Sequence, residues 1–241
     1  MPGPWEERRP FVLFGPDHLA ALALTVLLAV GLVRRVRRDP EGRAATAVRA
    51  GLAALLLGAT AVTLAGWARQ GRLQWVDLLP LHLCDLLIFV AVYALATRRA
   101  LACELLYFWA GAGTTLAILG PDVSAGFPDP DFLSFFALHG LVVASAATLV
   151  FGFGCRPRPG APWRVFLITN AYAAAVGLVD LALDANFLFL RGKPAAPTLL
   201  DWMGPWPAYL VAADALAAVF FVALDLPFRA GRRLAPPAPG G

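Results

Sequence analysis

Seven apolar stretches of roughly twenty residues each run through this chain, and they constrain its fold more than any other feature. A hydrocarbon core of about 30 Å takes about 20 helical residues to cross. Inside it every backbone polar group must be paired internally, which leaves only helices and closed barrels as spanning structures. The runs lack the short dyad alternation of barrel strands, so the expected fold class is all-α, a polytopic membrane helical bundle. The spans are expected at 17–33, 46–66, 76–97, 100–119, 131–153, 163–190 and 206–228. Composition agrees, since 59% of the 241 residues are hydrophobic and only 15% charged. The domain reading is a 1–16 extracytoplasmic segment, one transmembrane domain over 17–228, and a Pro/Gly/Arg-rich cytoplasmic tail over 229–241. No short apolar core with a small-residue cleavage site precedes the first span, so no cleaved signal peptide is expected.

Orientation follows from the basic residues, which short cytoplasmic loops retain. Alternating seven spans places Arg34, Arg35, Arg37, Arg38, Arg43, Arg49, Arg98, Arg99, Arg156, Arg158, Arg164, Arg229, Arg232 and Arg233 on one side, fourteen of the twenty. That side is expected to be the cytoplasm, with the N-terminus outside. The 120–131 loop on the other side carries Asp122, Asp129 and Asp131 and no basic residue. The net charge of +4 is therefore read as a topology signal rather than a nucleic-acid footprint.

One nonapeptide stands out chemically. "LPLHLCDLL", residues 79–87, places His82, Cys84 and Asp85 in an otherwise apolar segment. Pro80 fits the first turn of a helix, which would set Cys84 about one turn inside an N-terminus. Cys103 and Cys155 fall near the opposite membrane face, so Cys84 is expected to be a free thiol. No Walker loop, nucleotide fingerprint or zinc-type Cys/His spacing occurs, and neither a cofactor nor a metal is expected.

The three histidines are all expected toward the outer side: His18 at the start of span one, His82 in span three, and His139 in span five at a depth matching Cys84. Asp184 and Asp214 are expected in the outer parts of spans six and seven, with Asp180 deeper. An ionisable group at the centre of a membrane helix costs about 2.5–3.5 kcal/mol, so these residues should face the protein and one another. Spacing alone leaves competing roles open. Cys84 serves as readily for packing as for nucleophilic attack, and intramembrane His and Asp pairs are often structural hydrogen bonds. Gly111, Gly113 and Thr115 read as a close-packing surface. Asn170, Gly177 and Asp184, seven apart, form one stripe on span six.

Four blocks carry a family resemblance. "LFGPDHLAAL", "LPLHLCDLL", "FWAGAGTTLAILGPDVSAGFP…FFALHG" and "NFLFLRGKPAAPTLLDWMGPWPAYL" resemble the YwaF-type bacterial integral membrane proteins, relatives of the eukaryotic transmembrane protein 164 acyltransferases. The blocks occur in family order from residue 11 to about 214. At Phe187, where tyrosine or another aromatic is usual, the tyrosine hydroxyl is missing, and at Ala208 the chain departs from the usual tryptophan. The resemblance implies a coenzyme-A-independent acyltransferase that moves a fatty acyl chain between phospholipid and lysophospholipid through a cysteine thioester, with a histidine assisting. It puts the cysteine at Cys84 and the histidine at His139.

Such chemistry needs a nucleophile, a base and donors for the developing oxyanion. His18, His82, Asp85, Asp184 and Asp214 are the expected substrate-binding or supporting groups, and the oxyanion donor is not identified. Membrane phospholipids and lysophospholipids are the expected partners, with no nucleic acid, and the expected location is a bacterial plasma membrane. Two alternatives stand beside this reading: an intramembrane lipid hydrolase with water as acceptor, and a small-solute or proton transporter using the carboxylates and histidines without covalent chemistry.

Overall fold

A computed structural model describes residues 9–194 and 198–233. Residues 1–8 of the expected N-terminal segment and 234–241 of the expected tail lie outside the described residues. The α-helices among the described residues are α1 (Pro16–Arg38), α2 (Arg43–Arg69), α3 (Leu83–Thr97), α4 (Ala100–Trp109), α5 (Thr115–Leu119), α6 (Pro130–Ala147), α7 (Ala161–Leu183) and α8 (Ala208–Arg233). A π-helical turn, Ala110–Thr114, joins α4 to α5, and another, Thr148–Gly152, extends α6. Among the described residues, seven helical segments are long and apolar enough to cross a membrane: Pro16–Arg38, Arg43–Arg69, Trp75–Thr97, Ala100–Leu119, Pro130–Gly152, Ala161–Leu183 and Ala208–Arg229. The protein is an all-α, multi-pass membrane protein.

Two boundaries differ from expectation. The third span does not begin its regular helix at Pro80. Trp75–Leu78 forms a short 3-10 turn closed by a reciprocal Gln74–Asp77 cap, and α3 starts at Leu83 with His82 as its N-cap. The sixth span stops at Leu183 rather than 190, because Asp184 takes a left-handed conformation (φ 50°) and ends the helix. Residues 229–233 are the last turn of α8.

The chain divides into two compact units, Met1–Cys155 and Arg156–Gly241. In the first, α6 is the hub, packed against α1, α2, α3, α4 and α5. Asp129 caps it by accepting from the N–H of Asp131 at 2.9 Å, with Pro130 preset in the first turn. Small residues bring the helices together, as expected where lipid supplies no hydrophobic drive between them. At Gly140 the approach is so close that a Cβ would lie 2.8 Å from Thr25 Oγ1 of α1. The N-terminal stretch is tied down as well: Pro10 bridges Ala125, and the N–H of Phe11 donates to the Ser124 carbonyl.

In the second unit α7 packs on α8. The link between them carries its own hydrogen bonds. Asn186 accepts from the N–H groups of Arg191 and Gly192, Trp206 Nε1 donates to the Leu190 carbonyl at 2.9 Å, and the Tyr209 hydroxyl donates to the Phe189 carbonyl.

Candidate functional site

Cys84 is the second residue of α3, where its N–H lies outside the intrahelical ladder and the positive end of the helix dipole is close. His139 sits in the middle of α6. The two helices pack together, and Cys84, Asp85 and Ile88 of α3 line one small cavity with Leu138, His139 and Val142 of α6. Thr114, from the π turn, completes the lining. The cavity measures about 30 Å³, room for a water molecule or a carbonyl group but not for an acyl chain in this conformation.

His139 is held in one orientation. Its Nδ1 lies 2.8 Å from the Phe135 carbonyl, and its ring stacks on Phe135 with centroids 4.0 Å apart. A carbonyl only accepts, so the proton of the neutral ring sits on Nδ1 and the lone pair on Nε2. A base needs that tautomer, and here a backbone carbonyl selects it.

The other expected site residues divide into three groups. Asp85 lines the Cys84 cavity. His82 caps α3 two residues before the thiol and is not among the lining residues. His18 is 1% exposed and committed elsewhere: Nδ1 accepts from the Phe14 N–H at 2.9 Å and Nε2 donates to the Ile118 carbonyl at 2.7 Å, amid Phe11, Phe14 and Phe136. Both nitrogens being used, His18 ties the start of α1 to the end of α5. In the second unit Asp184 pairs with Arg191 at 2.7 Å, and Asp214 accepts from Asn170 at 3.0 Å. Asp180 is fully buried, with one oxygen accepting from the Phe187 N–H at 2.8 Å.

Sequence reasoning missed Thr114. Its neighbours Gly113 and Thr115 attracted only a packing role, because hydropathy does not register a π turn. A second cavity, of about 550 Å³, opens between α1, α2 and α6. It uses Phe136, Ala137, Gly140 and Leu141, the opposite face of α6 from Leu138, His139 and Val142, so α6 separates it from the thiol.

With that geometry in view, sequence comparison decides the lineage. A family model described as "TMEM164 family" matches residues 13–225. The chain belongs to the TMEM164 family. A relative from Treponema pallidum (strain Nichols), described as an uncharacterized protein, is 30% identical over 223 residues, which cover 91% of this chain and 90% of its own. No solved structure matches the chain. The stretch matched to the TMEM164 family takes in all seven spans except the last few residues of the seventh, and Cys84, Thr114 and His139 all fall inside it.

Proposed function

We propose that this TMEM164-family protein is an acyltransferase of the bacterial plasma membrane, moving a fatty acyl chain from a phospholipid to a lysophospholipid without coenzyme A. The observation that carries the reading is the shared cavity: the thiol of Cys84 and the ring of His139 come from different helices, and the Phe135 carbonyl leaves Nε2 as the basic atom. Nε2 takes the proton of Cys84, and the sulfur attacks the ester carbonyl of the donor lipid. Collapse breaks the bond to the glycerol oxygen, which recovers the proton from His139 and leaves as lysophospholipid. A second lysophospholipid hydroxyl then attacks the thioester along the reverse route. Donor and acceptor both dissolve in the bilayer, so a span is the natural place for the nucleophile.

The acidic residues of the second unit favour a structural part over a transport path, since Asp184 and Asp214 each have a partner within their own unit. Hydrolysis is the closer alternative, because a cavity of about 30 Å³ admits water.

The test uses purified full-length protein with a labelled phospholipid and an unlabelled lysophospholipid, followed by intact mass and lipid analysis. A single acyl adduct on the wild type, lost in Cys84→Ala, together with label in the acceptor lipid, is the expected result. Free labelled fatty acid instead of labelled acceptor supports the hydrolase. Full transfer by Cys84→Ala rejects the thioester.

A further inference from the structure

Several helix hydroxyls in this molecule bond back along their own helix, and Thr114 does not. Thr25, Thr60, Thr63, Thr97, Ser145 and Thr169 each donate to the carbonyl four residues back, at 2.7–2.9 Å. Thr114 is 2% exposed and has no hydrogen-bond partner among the described residues. An unpaired buried hydroxyl is costly, about 1–3 kcal/mol, so its persistence needs a reason.

The π turn supplies the local cause. In a regular helix Thr114 would bond the Ala110 carbonyl. Here that carbonyl accepts from the N–H of Thr115, five residues on, and from the Thr115 hydroxyl at 3.0 Å. A carbonyl oxygen has two lone pairs, and Thr115 uses both. The Thr114 hydroxyl is thereby released, and Thr114 is one of the residues lining the cavity of Cys84 and His139. Three other buried side-chain atoms among the described residues lack partners, on Thr148, Asp180 and Thr198, and none of these residues lines that cavity. π turns of this kind recur at functional sites, where they turn one residue out of the ladder.

We infer that the Thr114 hydroxyl is an oxyanion donor for acyl transfer at Cys84. The inference rests on the function proposed above and names the group that reading left unassigned. When the Cys84 sulfur bonds to the ester carbon, the carbonyl π pair moves onto oxygen, and the Thr114 O–H donates to that oxygen. As the pair returns, the bond to the glycerol oxygen breaks and the hydrogen bond weakens. The donor has no competing partner to give up, so it is ready before charge develops. The N-terminus of α3, two residues from its cap at Cys84, favours the same negative charge.

The experiment compares wild type, Thr114→Val and Thr114→Ser in the full chain. Valine keeps the shape and removes an unpaired hydroxyl, so folding and thermal stability should hold. Acylation of Cys84 by labelled phospholipid should slow by about 10²-fold in Thr114→Val, the usual effect of losing one oxyanion donor, and serine should restore most of it. Two further probes separate donor from packing. A lipid trifluoromethyl ketone adds to Cys84 to form a tetrahedral oxyanion and should bind Thr114→Val about 10²-fold more weakly. Iodoacetamide, used in a Cys155→Ala background, alkylates Cys84 with no oxyanion and should react equally with Thr114→Val and its parent. Equal acylation rates, equal ketone affinity, or a parallel loss of iodoacetamide reactivity each overturn the assignment. A wild type that forms no acyl-enzyme defeats the acyl-transfer reading instead, and the ketone comparison then decides Thr114 alone.

Discussion

The two histidines beside the aromatic residues of α6 show how one residue type takes opposite parts. His139 bonds at one nitrogen and keeps the other; His18 spends both, on the Phe14 N–H and the Ile118 carbonyl. Replacing His18 by Ala orphans two backbone groups and empties a site between three phenylalanines. A loss of about 2 kcal/mol or more is expected, read as a lower thermal midpoint in detergent. Retention of the wild-type midpoint would refute the pinning role. Cys155 is the other residue with a measurable signature. It lies in the loop after the fifth span, and a hydrogen bond from Cys103, followed by attraction to Arg98 and Arg49, brings its thiol down to about 7. The thiolate fraction rises with pH through the group's own value, so alkylation by a water-soluble maleimide should climb through about pH 7. Removing a cation opposes the thiolate, and Arg98→Gln should move that profile upward, toward the ordinary thiol range near ~8.5. An unmoved profile would rule out the electrostatic cause. Labelling of Cys84 accordingly requires a Cys155→Ala background, since Cys155 reacts as well.

At the scale of elements, the apolar runs made the seven spans readable, because length and hydropathy are what the bilayer selects. Breaks inside an apolar run were not. The 78–81 stretch stays apolar between the 3-10 turn and His82, so the pattern suggested a helix from Pro80 although α3 begins at Leu83. "NFLFL" likewise continues span six in composition, while Asp184 ends it by turning left-handed. Cys84 and His139 were legible as ionisable residues at matching depth on different spans. Thr114 was not, since its exposure to the cavity comes from an i+5 hydrogen bond that leaves no trace in residue type. The contact of α1 with α6 offers an element-scale test. Gly140→Ala places a methyl 2.8 Å from Thr25 Oγ1 while the Thr25 carbons stay 3.7 Å away. Overpacking of this kind costs about 1–3 kcal/mol. Thr25→Ala removes the offending oxygen, so the double variant should be more stable than Gly140→Ala alone. A double variant that merely sums the two losses would mean the helices do not meet there.

For the whole molecule, orientation is the property on which the position of the chemistry depends. Ion pairs occur on both expected sides. Outside, Arg72 is paired with Asp131 at 2.9 Å, Arg191 with Asp184 at 2.7 Å, and Lys193 lies 3.7 Å from Asp201. On the expected cytoplasmic side Arg98 pairs with Glu41 at 2.7 Å and Arg229 with Asp225 at 2.7 Å. The Glu41–Arg98 pair is solvent-facing and holds the Glu41 carboxyl below its usual range, so what stability it adds is present at neutral pH and is lost as pH falls through that lowered value. The expected topology is an outside N-terminus, a cytoplasmic C-terminus, and a 120–131 loop facing outward. It puts the N-terminal end of α3, and with it Cys84, His139 and Thr114, in the outer half of the bilayer. Donor and acceptor lipids would therefore be drawn from the outer leaflet. Single cysteines at 122 and at 39, in a chain cleared of its native thiols, should be labelled by an impermeant maleimide on intact cells at 122 and only after lysis at 39. The reverse pattern would invert the protein and move the acyl transfer to the cytoplasmic leaflet.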